Sequence, residues 1–305
     1  MNLNRPYRAS HLRSRRHPAV LLLGGLLLAS CTPPPAGPVE PIPGLLFEEA
    51  GDGTPARVVV QDFDIDAPPA AHELPPGRED AWRSIVPGLE RRIMPRLAPD
   101  GGVLERVHVL RADPELIRLD IEYSPGKAKT LDRWLADSGA LAVVNGGYFT
   151  EELYATGLLI ADGQSHGASY GGFAGMLAVG PDGFADLRWL EQRPYDPAEP
   201  LSAALQSFPV LVKPGGVHGF PEDGGLPARR TVVARDSAGR FLFLVAPGGS
   251  FPLHGLATWL VDSDLEIDIA LNLDGGTSSG LLVASPPEGT PGFVAVPSAI
   301  TLHAR

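Results

Sequence analysis

Apolar residues from position 103 onward arrive in short runs rich in Val, Ile and Leu, each closed by Gly, Pro or Asp, a punctuation that marks β-strands. The pattern predicts strands over 103–110, 117–123, 141–144, 158–160, 176–179, 210–212, 231–234, 241–245, 270–273 and 293–296. Only two stretches follow a helical period. Over 129–138, Leu131, Trp134 and Leu135 share one face and Gly139 ends the run; over 255–263, Leu256, Trp259 and Leu260 repeat the spacing. Helices that fail to alternate with strands predict an α+β fold, mostly β, with a few helices packed on a multi-stranded mixed sheet. No period of about 20–50 residues repeats, which argues against a solenoid or propeller.

The N-terminal part departs from this pattern. Arg5, Arg8, Arg13, Arg15 and Arg16 precede an apolar run over 19–29 with no acid among them, the order of a secretory leader. The run falls short of the roughly 20 residues a spanning helix needs. It ends at Leu28-Ala29-Ser30-Cys31, a lipobox-like tetrapeptide, and Cys31 is the single cysteine of the chain. The expectation is a lipoprotein leader over 1–30, lipidation of Cys31 and membrane attachment through that lipid. An ordinary leader with an incidental cysteine is the plainer alternative. Thr32 at the next position favours the periplasmic face of an outer membrane. From Pro33 the chain is dense in Pro, Ala and acids, which predicts a tether and irregular extension over 31–80 with one short strand near Val58-Val59-Val60. A single domain is expected over 81–305, starting near Trp82.

Charge sharpens this picture. Removing the leader takes five of the 25 basic residues and none of the 36 acidic ones, leaving a net charge near −16. A surface of that sign repels nucleic acid within a Debye length of about 8 Å, so nucleic acid is set aside as a partner. An anionic substrate must then meet a local cluster of basic groups.

Three stretches place polar residues and glycines at the ends of apolar strands, where a rigid scaffold presents a site. In Asn145-Gly146-Gly147-Tyr148-Phe149 the glycines allow a turn or a close approach to a ligand, although a hairpin turn explains Asn-Gly as well. In Asn272-Leu273-Asp274-Gly275-Gly276-Thr277-Ser278 a carboxylate follows a strand, as a base, nucleophile or ligand, or as the head of an Asx turn. Arg229-Arg230 enters a strand in an acidic protein, as an anion fork or a structural salt bridge. Gln206-Ser207-Phe208-Pro209 leads through another strand to Lys213.

Taken in order, Asn145–Phe149, Gly157-Leu158-Leu159-Ile160 with Asp162-Gly163, Gln206–Val212, Arg230-Thr231 and Asn272–Ser278 resemble the phosphodiester glycosidase family over roughly Trp82 to the C-terminus. The resemblance implies hydrolysis of the glycosidic bond in a sugar-1-phosphodiester, releasing free sugar and a phosphomonoester. A phosphate leaves already ionised, so one carboxylate and one cation can suffice where an ordinary glycosidase pairs two carboxyls. The expected catalytic residues are Asp274, as nucleophile or general base, Arg230 on the phosphate, and Asn145. Gly146, Gly147, Gln206, Ser207, Arg229, Lys213, Gly275, Gly276, Thr277 and Ser278 are expected to bind substrate.

A second carboxyl, if used, would come from Glu151, Glu152, Asp162, Glu222 or Asp223, and His166, His218 and His254 are candidate proton carriers. No metal-ligand spacing occurs, no cofactor is required, and a divalent cation between Asp274 and a substrate phosphate is the one metal role left open. Two other classes compete. A non-catalytic envelope lipoprotein could bind an anionic glycan with the same residues. A serine hydrolase could use Gly276-Thr277-Ser278-Ser279-Gly280, but Leu281-Leu282-Val283 reads as a strand where the nucleophile elbow needs a helix.

Overall fold

The computed structural model describes residues 80–169, 175–221 and 225–305. The leader, Cys31, the tether, the short strand at 58–60 and the carboxyls of Glu222 and Asp223 lie outside the described residues.

The chain opens with β1 (Arg83–Val86), β2 (Leu89–Leu97), β3 (Val103–Ala112) and β4 (Ile117–Tyr123), then α1 (Leu131–Ser138) and β5 (Ala142–Asn145). Next come β6 (Leu159–Ala161), β7 (Gln164–His166), β8 (Gly175–Val179), β9 (Ala185–Trp189) and β10 (Ala203–Ser207). They are followed by β11 (Val210–Lys213), β12 (Val217–His218), β13 (Ala228–Asp236) and β14 (Phe241–Phe251). The last elements are α2 (Leu253–Asp262), β15 (Ile267–Asn272), β16 (Leu281–Val283), β17 (Glu288–Thr290) and β18 (Ser298–Ala304), with one 3₁₀ turn at Gly276–Ser278.

The α+β, mostly β expectation holds. The strands divide among three sheets instead of one mixed sheet, and the pairings among the described residues are antiparallel. The large sheet has eight strands in the order β1-β2-β3-β14-β13-β15-β11-β12; two five-stranded sheets run β7-β6-β10-β8-β9 and β17-β16-β5-β18-β4. One core receives a face of each sheet: Val233, Phe243 and Leu271 from the first, Leu177 and Leu205 from the second, Val144 and Ile300 from the third. Burying a side chain of this size contributes about 1.5–3 kcal/mol. The outer face of the large sheet, with Val232, Ala234 and Leu244, is covered by Leu256, Ala257 and Leu260 of α2. Leu131 and Trp134 of α1 cover Val143 and Ala299 of the third sheet, and the Trp134 indole donates to the Val296 carbonyl at 3.0 Å.

Two differences from expectation have local causes. Residues 293–296 form no strand, for they lie between Pro291 and Pro297; Val296 alone makes a bridge, to Lys129, and Phe293 stays exposed. Conversely β2 hides behind Arg91, Arg92 and Arg96; it ladders antiparallel with β3, and its charges are met from elsewhere, Arg91 by Glu288 of β17 and Arg92 by Asp264.

Candidate active site

Strand ends from all three sheets converge where β5 leaves at Asn145, β10 leaves at Ser207, β15 leaves at Asn272 and β13 enters through Arg230. Register sets which side chains meet. Asn272 lies opposite Val232, and the ladder extends one step further as the Leu273 amide donates to the Thr231 carbonyl at 2.9 Å. Side chains alternate along a strand, so Arg230 shares the face of Val232 and Ala234 while Arg229 and Thr231 turn to the other side.

The two arginines therefore part company. Arg230 donates from Nε to the Phe251 carbonyl and from Nη2 to the Leu226 carbonyl, both at 3.0 Å, and makes no ion pair among the described residues. Its surroundings are desolvated, which lowers its pKa. Arg229 instead reaches the carbonyls of Ser279, at 2.7 Å, and Pro291, at 3.2 Å, with its guanidinium on the Phe293 ring. It braces the loop that carries Asp274 and does not join Arg230 in a fork.

Asp274 stands just past β15. Burial raises its pKa, against hydrogen bonds from the Ser278 side chain and from the Gly275 amide at 2.9 Å. Gly275 is required there because a Cβ would come within 2.9 Å of the Arg229 carbonyl oxygen, and Gly276 has φ +62. Thr277 is exposed, and its carbonyl accepts from the Phe293 amide at 2.7 Å. Ser278 sits buried in a 3₁₀ turn followed by β16, which is no nucleophile elbow.

Asn145 is fully buried. Its Nδ2 donates to the Asp274 carbonyl at 2.8 Å, and its Oδ1 accepts from Thr231 Oγ1 at 2.8 Å and the Gly280 amide at 3.0 Å. Every polar atom of the amide is spent inside the protein, so Asn145 ties β5, β13 and the Asp274 loop together and presents nothing to a ligand. Gly146 and Gly147 likewise serve packing: a Cβ on Gly146 would sit 2.2 Å from Ser298 Oγ, and one on Gly147 would press on Leu205.

The other expected binding residues differ in where their side chains lie. Gln206 and Ser207 are buried in the central strand of the second sheet, with Gln206 Nε2 donating to Ser169 Oγ at 2.8 Å. Lys213 is at the far end of β11, three residues past Val210, and its ammonium rests over Trp189 at 4.5 Å. A strand rises about 3.3 Å per residue, which puts Lys213 some 10 Å from the strand ends that hold the site. Glu151, Glu152 and Asp162 are exposed on turns. His166 packs on Tyr123, while His218 packs on His254 of α2. Among the described residues no group of three or more His, Cys, Asp or Glu side chains gathers where it could hold a metal ion.

Tyr148, within the Asn145–Phe149 block yet not singled out as a site residue, reaches into the same space. Its hydroxyl accepts from Asn272 Nδ2 at 2.6 Å and donates to the Phe208 carbonyl at 3.2 Å, with the two rings 5.0 Å apart. Burial and the nearby Asp274 charge push its pKa up to about 12, while Arg230 and the Asn272 hydrogen bond act the other way.

Residues 138–303 match the family model described as phosphodiester glycosidase. The zebrafish N-acetylglucosamine-1-phosphodiester alpha-N-acetylglucosaminidase catalytic domain, auto-inhibited by its pro-peptide, is similar in fold with a TM-score of 0.59 and 19% identity, over 74% of this chain and 87% of that one. Weaker likenesses are a Synechocystis protein (TM-score 0.48, 15% identity, 72% of this chain and 62% of that one) and an exported Burkholderia pseudomallei protein (TM-score 0.49, 14% identity, 65% and 74%). No curated protein matches the sequence.

Proposed function

From the premise that the chain belongs to the phosphodiester glycosidase family, and so hydrolyses phosphodiester-linked glycosyl groups, we propose that Arg230 and Asp274 divide the reaction between them, Arg230 on the phosphate and Asp274 at the anomeric carbon. The observation that carries this reading is the state of the two charges. Arg230 is desolvated and held by carbonyls alone, Asp274 is desolvated with a raised proton affinity, and no ion pair joins them among the described residues. Half-buried charges without a counter-charge carry a desolvation cost, and a substrate that brings one reduces it. The phosphate supplies an anion for Arg230, and the oxocarbenium-like carbon supplies positive charge for Asp274.

The raised proton affinity suits Asp274 to taking a proton from water as general base. The leaving phosphate departs ionised and needs no second carboxyl. Asn145 acts behind this pair, fixing the Asp274 main chain. None of these roles routes a step through a metal ion or a cofactor.

The substrate we propose is a sugar-1-phosphodiester of an envelope or extracellular glycan, met by an enzyme anchored through a lipid on Cys31 at the periplasmic face of an outer membrane. The leader, the lipobox-like sequence and the proline-rich stretch behind it support that placement.

Release of reducing sugar from a panel of sugar-1-phosphodiesters, by protein starting after Thr32, tests the reaction. Turnover that falls about a thousandfold in Asp274→Asn and a hundredfold or more in Arg230→Ala is expected. Binding of the same compounds without release, altered only in affinity by Asp274→Asn, would replace this reading with a glycan-binding lipoprotein. Retention of radiolabelled fatty acid by the full chain, lost in Cys31→Ser, tests the anchor.

A further inference from the structure

At the strand ends that carry the two charges stands a neutral donor, Tyr148. The Tyr148 ring packs against Phe208, and its oxygen accepts the 2.6 Å hydrogen bond from Asn272. Asn272 is itself buried to 1% exposure, and its Nδ2 also lies within hydrogen-bond distance of the carbonyls of Leu273 at 2.9 Å and Phe208 at 3.1 Å, which share its two hydrogens with the phenol. The proton Tyr148 donates is less tightly engaged, because 3.2 Å to the Phe208 carbonyl is long for an O–H···O bond, which ordinarily spans about 2.5–3.0 Å. The hydroxyl thus has an engaged oxygen and a redirectable hydrogen.

Two further facts place that hydrogen. Asn272, which holds the phenol at 2.6 Å, is two residues before Asp274 and lies opposite Val232, itself two residues after Arg230 on the same face of the sheet, so register brings the hydroxyl to the strand ends that carry both charges. In a glycosyl phosphodiester the anomeric carbon and the phosphorus are separated by a single oxygen. A ligand that sets its phosphate on Arg230 and its anomeric carbon at Asp274 presents that bridging oxygen to the group that stands at the same strand ends. We propose that Tyr148 is a further catalytic residue, donating a hydrogen bond to the bridging oxygen as the bond from the anomeric carbon breaks. The proposal rests on the Arg230 and Asp274 assignments above.

The step balances without a proton moving from tyrosine. The carbon–oxygen bond breaks with its electron pair going to the bridging oxygen, which leaves as part of the phosphomonoester. Water bonds to the anomeric carbon and its proton passes to Asp274, then to solvent. Tyr148 keeps its proton throughout; burial and the Asp274 charge hold it as a neutral donor at any physiological pH. Asn272, donating into the phenolic oxygen, polarises the O–H and is a positioning residue for it.

The test compares two substrates, one with oxygen and one with sulfur at the bridging position, across wild type, Tyr148→Phe, Arg230→Ala and Asp274→Asn. Sulfur is a weak hydrogen-bond acceptor. Tyr148→Phe is expected to lose on the order of a hundredfold in kcat on the oxygen substrate with KM little changed, and to lose far less on the sulfur substrate. Melting within a degree or two of wild type would show the fold intact. An equal loss on both substrates, or no loss on the oxygen substrate, overturns the role. If Tyr148→Phe shows the oxygen-selective loss while Arg230→Ala and Asp274→Asn keep full rates, the charge assignment fails and the tyrosine role stands as the donor to the leaving oxygen. No turnover of either substrate by folded wild-type protein overturns the function and this role together.

Discussion

The charges around β9 and those at the strand ends, all among the described residues, are built in opposite ways. Around β9 the Arg188 side chain, 5% exposed, makes a two-pronged contact with Glu199 at 2.6 and 2.7 Å and a third bond to Asp186 at 2.9 Å. Arg193 and Arg235 close on the same acids, and Arg235 continues to Asp268. Every cation there has a counter-charge within the protein. At the strand ends, Arg230 and Asp274 have none among the described residues, although the chain is rich in acids that could have been placed beside Arg230. A paired charge holds the fold and has little left to offer a ligand; an unpaired, desolvated one costs stability and is ready for a partner from outside.

The sharpest way to break this comparison is to remove one arginine from each cluster. Arg230→Ala should lose a hundredfold or more in turnover with a melting temperature within about 2 °C of wild type, since only two carbonyls lose a donor. Arg188→Ala should do the reverse. Leaving Asp186 and Glu199 with one cation fewer is expected to cost about 2–4 kcal/mol, or roughly 5–10 °C, with turnover within about twofold of wild type. Thermal melts beside sugar-release assays on both variants decide it; equal effects on both quantities would dissolve the distinction.

The sequence announces the site unevenly, and the reasons are physical. Asp274 and Arg230 stand out as candidates because each is a charged residue at the end of an apolar strand, while an Asx turn and a structural salt bridge explain them equally well in sequence; the missing ion pair at Arg230, among the described residues, is visible only in the structure. Both helices are legible from their spacing. Asn145 looks the same as a ligand-binding amide in sequence, yet it is fully buried and saturated by Asp274, Thr231 and Gly280, contacts that span up to 135 positions of chain. The split between Arg229 and Arg230 follows from strand alternation once β13 is known to start at Ala228, three residues before the strand predicted over 231–234. Lys213 is misplaced by the same ignorance, because the sequence does not say which end of β11 faces the site. β18 pairs with both β4 and β5, and only the closed sheet reveals Ser298–Ala304 as a strand buried on both faces. Tyr148 sits in a visible motif, but its role depends on Asn272 and Phe208 arriving from distant strands.

A third charged locus sharpens the contrast from the side of pH. His108 on β3 is buried beside Arg91, whose guanidinium donates toward its Nδ1 at 3.2 Å; desolvation, then the Arg91 charge, push its pKa down to about 4. The unfolded value is near 6.5, so the neutral ring contributes stability that is present above pH 6.5 and lost as pH falls toward 4. Up to about 3 kcal/mol is at stake at 1.36 kcal/mol per unit. Urea midpoints from pH 7 to pH 4 should fall more steeply for wild type than for His108→Asn. Parallel slopes would mean the histidine is not held neutral and that this locus, like the one around Arg188, is governed by its ion pairs alone.

The smallest expected effect is the most discriminating, because it carries an unusual sign. Asp274 has a raised pKa in the fold, so its ionised form is disfavoured there relative to the unfolded chain. Its stabilising contribution is complete below the unfolded pKa and disappears as pH rises through the folded one. At neutral pH the native protein carries that cost, and Asp274→Asn should melt about 1–2 °C above wild type while losing activity. The gain should shrink as pH falls into the acid range where wild-type Asp274 is itself protonated. For a carboxylate engaged like Glu199, the same substitution removes a counter-charge from buried Arg188 and must destabilise at neutral pH. A melting temperature that drops in Asp274→Asn at pH 7 would mean that Asp274 is held by partners of the Glu199 kind, and the case for a charge kept free for substrate would fall with it.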